Sequence, residues 1–247
     1  MRFSIITITY NSQTYLEETL RSVKEQVFTD YEHIIWDGGS HDNTLQIARK
    51  FPHIKIYQGK DLGISDAMNK GASFAQGEFI LHLHSDDLLE DKYTLERVNS
   101  FLKDFPKTSW IYGRARIIDS NGHHMRSTNF IPYSAKRLRK YNIITHPATF
   151  LSRPLFIQSG GFNKDLKFCM DYELWLRLSQ ITPAQAMPHF IAKFREHSQS
   201  LSTKESLSVA NEAYKVRNAY TKNLWERWKS YRTWKARCRA CKQSKNL

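Results

Sequence analysis

The pattern of apolar and polar positions in residues 3–105 predicts strands and helices that alternate along the chain. Short apolar runs rich in β-branched residues predict buried strands at 3–9, 33–36, 54–57 and 79–83. Apolar positions at helical spacing predict a first helix from Ser12, as its cap, to Val27, and two more at 43–50 and 64–75. This order predicts a parallel sheet that binds ligands at the carboxyl ends of its strands.

The second part of the chain is less regular. We expect a helix at 93–105, a strand at 110–118, a turn at 119–122 and a helix at 168–178, whereas residues 123–150 match no clear pattern. With 247 residues, 40% of them apolar, the chain can bury a substantial core. The expected fold class is α/β, with a mostly parallel central sheet flanked by helices.

Basic charge is concentrated at the end of the chain. Of the net charge of +13, residues 215–247 carry +10 and the rest only +3. Apolar residues recur there every three or four positions, at Tyr220, Leu224, Trp228, Tyr231, Trp234 and Cys238. We therefore predict a basic, amphipathic helical extension over 206–247. It could lie on an anionic membrane surface, or pack on the preceding domain and expose a basic face.

Several classes of protein are disfavoured. The chain has no run of 18 apolar residues and no cleavable signal pattern, so we expect a cytoplasmic protein that could associate with the inner face of the cell membrane. Three cysteines do not form a disulfide framework, and Cys238-x-x-Cys241 lacks the second ligand pair of a zinc site. Neither a P-loop nor a GxGxxG fingerprint is present, which disfavours kinases and dinucleotide-dependent dehydrogenases.

Carboxylates follow the predicted strands. Asp86 and Asp87 are adjacent, and the repulsion between them is relieved when a divalent cation such as Mn²⁺ or Mg²⁺ binds; alternatively, the pair only ends the strand. Asp37 precedes Gly38-Gly39 at another strand end, where it could contact a base edge or belong to an ordinary turn. Asp171 lies at the start of a predicted helix. It could be a rigidly held catalytic base, or only an acid that stabilises the helix N-terminus.

Four ordered segments resemble the nucleotide-sugar-binding motifs of family 2 glycosyltransferases. These segments are residues 5–11, 37–44, 63–71 and 85–87, and residues 160–163 with 170–178 resemble that family's acceptor-side signature. The resemblance covers roughly residues 3–200 and implies a GT-A (Rossmann-like) catalytic domain over 1–205. It also implies a transfer that inverts the anomeric carbon.

The resemblance also implies roles for individual residues. The nucleotide sugar would be contacted by Thr9, Tyr10, Asn11, Asp37, Asp66, Asn69, Ser85 and Asp86. Asp86, Asp87 and the late His197 would hold the metal, and Asp171 would deprotonate the acceptor hydroxyl. The chain departs from the family pattern at His84, which replaces the first acid of the D-x-D motif, and at Met170, where the family usually has Glu.

The predicted function is therefore an inverting sugar transfer from a nucleotide-diphosphate sugar, with a UDP-sugar favoured. The acceptor would be a hydroxyl of a saccharide or lipid-linked saccharide, in cell-surface polysaccharide biosynthesis. A sugar-nucleotide nucleotidyltransferase is the alternative enzyme, but it normally has a glycine-rich basic loop after its first strand. A basic RNA-binding protein would explain the tail and leave the carboxylates unexplained.

Overall fold

The computed structural model describes residues 1–198, 206–221 and 223–243, and all structural statements below concern these residues. Several sequence predictions lie outside them. These are the domain boundary after residue 205, residues 199–202 of the segment that contains His197, and the basic Lys222 and Lys245 of the extension.

The first half of the chain forms the predicted parallel sheet. Its strands lie in the order β3-β2-β1-β4, and every neighbouring pair is parallel. The elements are β1 (Phe3–Thr9), α1 (Leu16–Lys24), β2 (Tyr31–Asp37), α2 (Thr44–Arg49), β3 (Ile54–Gln58), α3 (Ile64–Ser73) and β4 (Phe79–His82). Because parallel strands end at the same edge, the segments after β1, β2 and β4 lie side by side.

The second half extends this sheet with mixed strand directions. Its elements are β5 (Leu88–Leu89), α4 (Thr94–Asp104), β6 (Trp110–Ile118), β7 (His124–Ser127), α5 (Ala135–Leu138), a 3₁₀ helix (His146–Ala148), β8 (Thr149–Ser152), α6 (Arg153–Gln158), α7 (Met170–Leu178) and β9 (Gln185–Arg195). Strand β8 runs antiparallel to both β4 and β6, β9 runs parallel to β6, and β5 and β7 add antiparallel edges. The α/β fold is thus confirmed, with its parallel character strongest in β1–β4.

The sheet separates two apolar layers, as the alternation of side chains along a buried strand requires. In β1, Ile5 packs with the helices α1 and α4, and Ile6 packs with α3 and α7 on the opposite face. Trp110 of β6 stacks on Trp175 of α7, with 5.7 Å between ring centroids, and both are almost fully buried. These contacts fix α7 against the sheet.

Two local predictions were wrong. Helix α1 begins at Leu16 without a side-chain cap, whereas the N–H of Ser12 donates to the hydroxyl of Thr44 at 2.7 Å. Val27 follows the helix and is about half exposed. The spacing of apolar residues therefore identified the helix but not its ends.

The basic extension forms two helices rather than one, α8 (Ser206–Ala219) and α9 (Leu224–Gln243). They pack together through Tyr214 and Trp234, whose stacked ring centroids lie 5.0 Å apart, and the Trp234 indole donates to Asn211 at 2.8 Å. Helix α8 packs on the preceding fold, with Ala210 and Val216 buried. None of the described helices combines the length and apolar character needed to span a membrane.

Candidate active site

One continuous cleft lies at the carboxyl edge of the parallel strands. A cavity of about 650 Å³ at the ends of β1 and β2, here the β1–β2 cavity, adjoins one of about 290 Å³ beside the start of α7, here the α7 cavity. Both are lined by Ile64, His84 and Asp86. The cleft therefore connects the segment around Asp86 with the segment around Asp171, both of which the sequence predicts to be functional.

Four of the eight predicted nucleotide-sugar residues line the β1–β2 cavity. Those that line it are Thr9, Tyr10, Ser85 and Asp86, together with the predicted metal ligand His197. Asp61 also lines it and accepts a hydrogen bond from the Trp36 indole at 3.2 Å. Sequence reasoning missed Asp61, although it lies two residues before the third motif.

Asp37 is fully buried behind this cavity, and internal hydrogen bonds occupy its carboxylate. One oxygen accepts from the hydroxyls of Thr9 and Ser40 at 2.8 and 2.6 Å, and the other from the N–H groups of Gly39 and Ser40 at 3.0 and 2.9 Å. An ionised carboxylate offers about four acceptor positions, all used here. Asp37 thus orders the loop after β2, and its contact with a nucleotide base stays a prediction.

Asn11 holds the same loop from the β1 side. Its backbone has a φ of 50°, in the left-handed region that Asn tolerates better than most residues. Its side-chain oxygen accepts from the N–H of His41 at 2.9 Å, and its own N–H donates to Ser40 at 2.9 Å. Hydrogen bonds between the loops after β1 and β2 therefore order the rim of the β1–β2 cavity without a ligand.

Asp66 and Asn69 of α3 hold the segment that precedes α7. The carboxylate of Asp66 contacts the ammonium groups of Lys164 and Lys70 at 2.6 and 2.9 Å, and the Lys164 contact lowers its pKa to about 2. The Asn69 amide both donates to and accepts from the backbone of Phe162, at 2.8 Å each. The third motif and the acceptor-side signature are thus physically joined.

A glycine is required where this clamp closes. Gly161 has a φ of 71°, and a Cβ atom there would lie 2.4 Å from the side-chain oxygen of Asn69. Any larger residue would therefore push Asn69 away and strain the backbone. This close approach explains Gly161, whereas Gly160 is explained by its own left-handed backbone, with a φ of 78°.

Asp86 and Asp87 have different surroundings. The Asp86 carboxylate reaches the cleft, and its Oδ2 lies 3.0 Å from Nε2 of His197. Asp87 is 1% exposed; one oxygen accepts from the N–H of Arg195 at 3.0 Å, and the other has no hydrogen-bond partner in the described parts of the chain. Burial and the Asp86 charge raise the pKa of Asp87 well above its usual range.

Arg195 holds this pair from behind. Its fully buried guanidinium donates to the carbonyl groups of Asp86 and Ser120, at 3.1 Å each, and to the carboxylate of Glu18 at 2.6 Å. It therefore ties the turn after β4 to α1 and to the turn after β6. Sequence reasoning gave Arg195 no role, because only the packing of β9 beside β5 brings it here.

The residues fit a metal ion that takes some of its ligands from the protein and the others from a bound substrate. Across the described ranges, no group of three His, Cys, Asp or Glu side chains is arranged to hold a metal ion by itself. Asp86 and His197 offer one carboxylate and one imidazole, and Asp87 keeps a buried unpaired oxygen. Mg²⁺ commonly binds through one or two carboxylates plus substrate phosphates, and Mn²⁺ accepts similar oxygen ligands.

Asp171 occupies the first turn of α7 and lines the α7 cavity with Asp86 and Asp87. Its carboxylate accepts from the N–H of Tyr172 at 2.6 Å and, at 3.5 Å, from the amide of Asn142. Loss of solvent around the carboxyl group is the main cause that raises the pKa of Asp171 to about 6. The predicted base and metal-binding carboxylates therefore line one cavity.

A cluster of three imidazoles, one buried and two partly buried, also borders the α7 cavity. His84 and His146 line it with ring centroids 5.0 Å apart, and His82 lies behind them. Burial lowers the pKa of all three, so each is a neutral imidazole at neutral pH. Neither ring nitrogen of His146 has a hydrogen-bond partner within the described residues, which leaves two polar atoms for a ligand.

Known proteins share this sequence pattern. Residues 4–162 match the family described as Glycosyl transferase family 2. A PGL/p-HBAD biosynthesis glycosyltransferase of Mycobacterium bovis is 34% identical over 183 residues, which are 71% of this chain and 68% of that protein. A chondroitin synthase of Escherichia coli is 29% identical over 220 residues, which are 87% of this chain but only 32% of that protein.

Solved structures share the fold. TarS of S. aureus, in complex with UDP-GlcNAc, has a TM-score of 0.71 at 22% identity, and the match covers 87% of this chain and 66% of that one. The mannosyltransferase PcManGT of Pyrobaculum calidifontis, in complex with GDP-Man and Mn²⁺, has a TM-score of 0.67 at 16% identity, over 91% and 66%. With the motif order, the cleft and the match over 4–162, these findings place the chain in glycosyltransferase family 2, with a GT-A fold.

Proposed function

We propose that this protein is a metal-dependent, inverting glycosyltransferase that uses a nucleotide-diphosphate sugar, with a UDP-sugar favoured. Its acceptor is a hydroxyl of a saccharide or lipid-linked saccharide, in cell-surface polysaccharide or glycolipid biosynthesis. The observation that carries the proposal is the single cleft in which Asp86 and His197 adjoin one cavity and Asp171 faces the next. The relatives that make chondroitin and PGL/p-HBAD support this class of product.

The donor's nucleotide would occupy the β1–β2 cavity. Thr9, Tyr10 and Ser85 line it, and the ordered loops of Asn11 and Asp37 form its rim. Nucleotide-sugar complexes of two proteins with this fold contain UDP-GlcNAc and GDP-Man. The β1–β2 cavity is the larger of the two, which supports placing the nucleotide there and the donor's sugar toward the α7 cavity.

Asp86 and His197 would hold a Mn²⁺ or Mg²⁺ ion, with Asp87 in support. When bound, such an ion supplies positive charge that stabilises a departing diphosphate. Arg195 keeps the Asp86–Asp87 turn in place from the side that faces away from the cleft. His84 contributes a neutral ring beside these carboxylates, so it can donate or accept a hydrogen bond without adding negative charge.

Asp171 would take the proton from the acceptor hydroxyl. A pKa of about 6 leaves it ionised at neutral pH, and yet makes it a stronger base than an ordinary Asp. A hydroxyl held between Asp171 and the anomeric carbon attacks opposite the diphosphate, so that one displacement inverts the centre. No covalent sugar–enzyme bond is needed in such a reaction.

A donor and metal panel tests this proposal. We expect a UDP-sugar to raise the Tm of the protein in the presence of Mn²⁺ or Mg²⁺, and much less in EDTA. We also expect transfer to a saccharide acceptor to give a product whose anomeric configuration, read by NMR, is opposite to that of the donor. Retention of configuration, or binding and transfer that EDTA leaves unchanged, would contradict the proposal.

We also propose that α9 contacts an anionic membrane surface. This helix exposes large apolar side chains beside basic ones: Leu224, Trp225, Trp228, Tyr231, Arg232, Lys235 and Arg239. Of these, Tyr231 also contacts the ring of Tyr214 in α8. Trp225 and Trp228 stack with 4.9 Å between centroids, and the Arg232 guanidinium lies 4.9 Å from the Trp228 ring. Aromatic and cationic side chains on one exposed face are typical of helices that bind membrane interfaces.

Vesicle sedimentation tests the membrane contact. The double variant Trp225→Ala/Trp228→Ala should bind phosphatidylglycerol vesicles at least about tenfold more weakly, because burying one large apolar side chain contributes about 1.5–3 kcal/mol. Tyr93→Ala, which removes an aromatic ring of similar exposure near α4, is the matched control. Equal binding to neutral vesicles, or preferential binding to RNA, would contradict the membrane proposal.

A further inference from the structure

Helix α8 forms part of the wall of the α7 cavity. Val209 lines that cavity, and its carbonyl accepts from the Cys169 thiol at 3.7 Å. Farther along α8, the Arg217 guanidinium donates to the carbonyl of Lys140 at 2.9 Å, and Tyr220, directly after the helix, donates to the carboxylate of Glu173. The helix therefore contacts segments on both sides of Asp171.

The strongest of these contacts comes from Glu212. Its carboxylate accepts three backbone hydrogen bonds, from the N–H groups of Lys167 at 3.1 Å, Phe168 at 2.7 Å and Cys169 at 2.6 Å. Two of these residues, Lys167 and Phe168, line the α7 cavity. Such bonds to a charged acceptor are about twice as strong as neutral ones, so they order this stretch firmly.

Residues 167–169, which Glu212 holds, lie directly before the helix that carries Asp171. Cys169 is the N-terminal flanking residue of α7, and Asp171 lies in the first turn of that helix. N–H groups at the start of a helix have no partner inside the helix. Here the Glu212 carboxylate accepts from the N–H groups of 167–169, which lead into α7, and its negative charge lies near the positive end of the helix dipole. Movement of 167–169 would therefore change the entry of α7 and the position of the Asp171 carboxylate.

We propose that Glu212 is a positioning residue for Asp171, and that α8 belongs to the acceptor side of the active site. This inference rests on the proposed role of Asp171. Glu212 acts mainly through the backbone of 167–169, which it holds in one conformation; its charge also contributes to the raised pKa of Asp171, and it does not touch the reacting atoms. The catalytic unit then continues past the boundary at 205 that the sequence suggested, to include α8.

The deciding variant is Glu212→Gln, which keeps the length of the side chain. A single amide oxygen has two lone pairs and no charge, so it cannot replace a carboxylate that accepts three bonds. We expect the kcat of transfer to fall about tenfold in Glu212→Gln and more in Glu212→Ala, since a misplacement of about 1 Å in a catalytic group can cost about 100-fold. The Kd for the UDP-sugar with Mn²⁺ should stay within about twofold of the wild type, since the donor's nucleotide would occupy the β1–β2 cavity, away from residues 167–169.

Hydrogen exchange provides a direct readout in the same variants. The amides of Phe168 and Cys169 should exchange faster in Glu212→Gln, whereas those of β1 should be unchanged. Glu96→Gln, on the exposed surface of α4, is the matched control and should change neither kcat nor exchange.

Two results would overturn the inference. One is a Glu212→Gln protein with wild-type kcat, and the other is a loss of donor affinity equal to the loss of kcat, which indicates general damage. If the proposed function itself is wrong, the wild-type protein will show no transfer at all, so the two failures are distinguishable. Exchange at Phe168 and Cys169 then still reports whether Glu212 holds the segment.

Discussion

The two sides of the cleft differ in how their carboxylates are partnered. On the β1–β2 side, Asp37 accepts four hydrogen bonds and Asp66 contacts two ammonium groups. On the α7 side, Asp87 keeps a buried unpaired oxygen, and burial raises the pKa of both Asp87 and Asp171. Fully partnered carboxylates stabilise loops, whereas buried carboxylates with few partners are poised for a ligand or a proton.

The sides also differ in how they are assembled. The β1–β2 side consists of loops that follow neighbouring parallel strands, so residues close to strand ends meet by topology alone. The α7 side takes Asn142, His146, Asp171, Arg195 and Glu212 from segments far apart in the chain. Its geometry therefore depends on long-range packing.

The largest expected effect separates catalysis from donor binding. Asp171→Asn removes the base but keeps the shape of the side chain, so kcat should fall about 100- to 10,000-fold. Calorimetry with a UDP-sugar and Mn²⁺ should give an unchanged Kd. Asp165→Asn, an exposed acid six residues before it, is the control and should keep full activity. If Asp171→Asn retains turnover, another group is the base.

Asp86→Asn should produce the opposite phenotype. Loss of a charged metal ligand should weaken Mn²⁺-dependent binding of the UDP-sugar at least about tenfold, because even outer supporting residues of metal sites cost about 10- to 100-fold. Calorimetry with and without EDTA measures the metal-dependent part. Asp104→Asn, exposed at the end of α4, serves as the control. Unchanged metal dependence in Asp86→Asn would remove Asp86 from the proposed site.

Substitution of a fully partnered carboxylate should reduce stability. In Asp37→Asn a single uncharged oxygen would remain for the four groups that now donate to the carboxylate, so the NH₂ group would face two of these donors. We expect the free energy of unfolding to fall by about 1.5–3 kcal/mol, the usual range for bonds to charged groups. Urea denaturation measures the change. A stable Asp37→Asn protein that binds donors poorly would instead point to direct contact with the base.

Substitution of the partly buried base should increase stability at neutral pH, and progressively less as the pH falls from about 6 to 4. Because the folded-state pKa of Asp171 is raised to about 6, its ionisation opposes folding as pH rises from about 4 to 6. Asp171→Asn does not titrate, so at pH 7.5 its free energy of unfolding should exceed that of the wild type by about 1–2 kcal/mol, and at pH 4 the two should agree. The kcat of the wild type should decrease below about pH 6 for the same reason. A stability difference that does not change with pH would refute this explanation.

Much of the β1–β2 side could be predicted from the chain itself. Local apolar runs identified β1 to β4, and four of the predicted donor contacts line one cavity. The helix α8–α9 arrangement was missed, because the spacing that predicts an amphipathic helix does not reveal a turn between two helices. The structure of 123–150 was missed too, because short elements such as β7 and α5 depend on neighbours rather than on periodicity.

The sequence by itself determined the alternating strands and helices, the segments at the strand ends and the family, because these depend on local periodicity and on motif order. Only the tertiary structure decided which carboxylates are partnered and which are not. It alone brought Asn69 to Phe162, Arg195 to the Asp86–Asp87 turn and Glu212 to the start of α7. The physical reason is that hydrogen bonding and desolvation depend on what surrounds a side chain in space, and residues 40 to more than 100 positions away supply those surroundings.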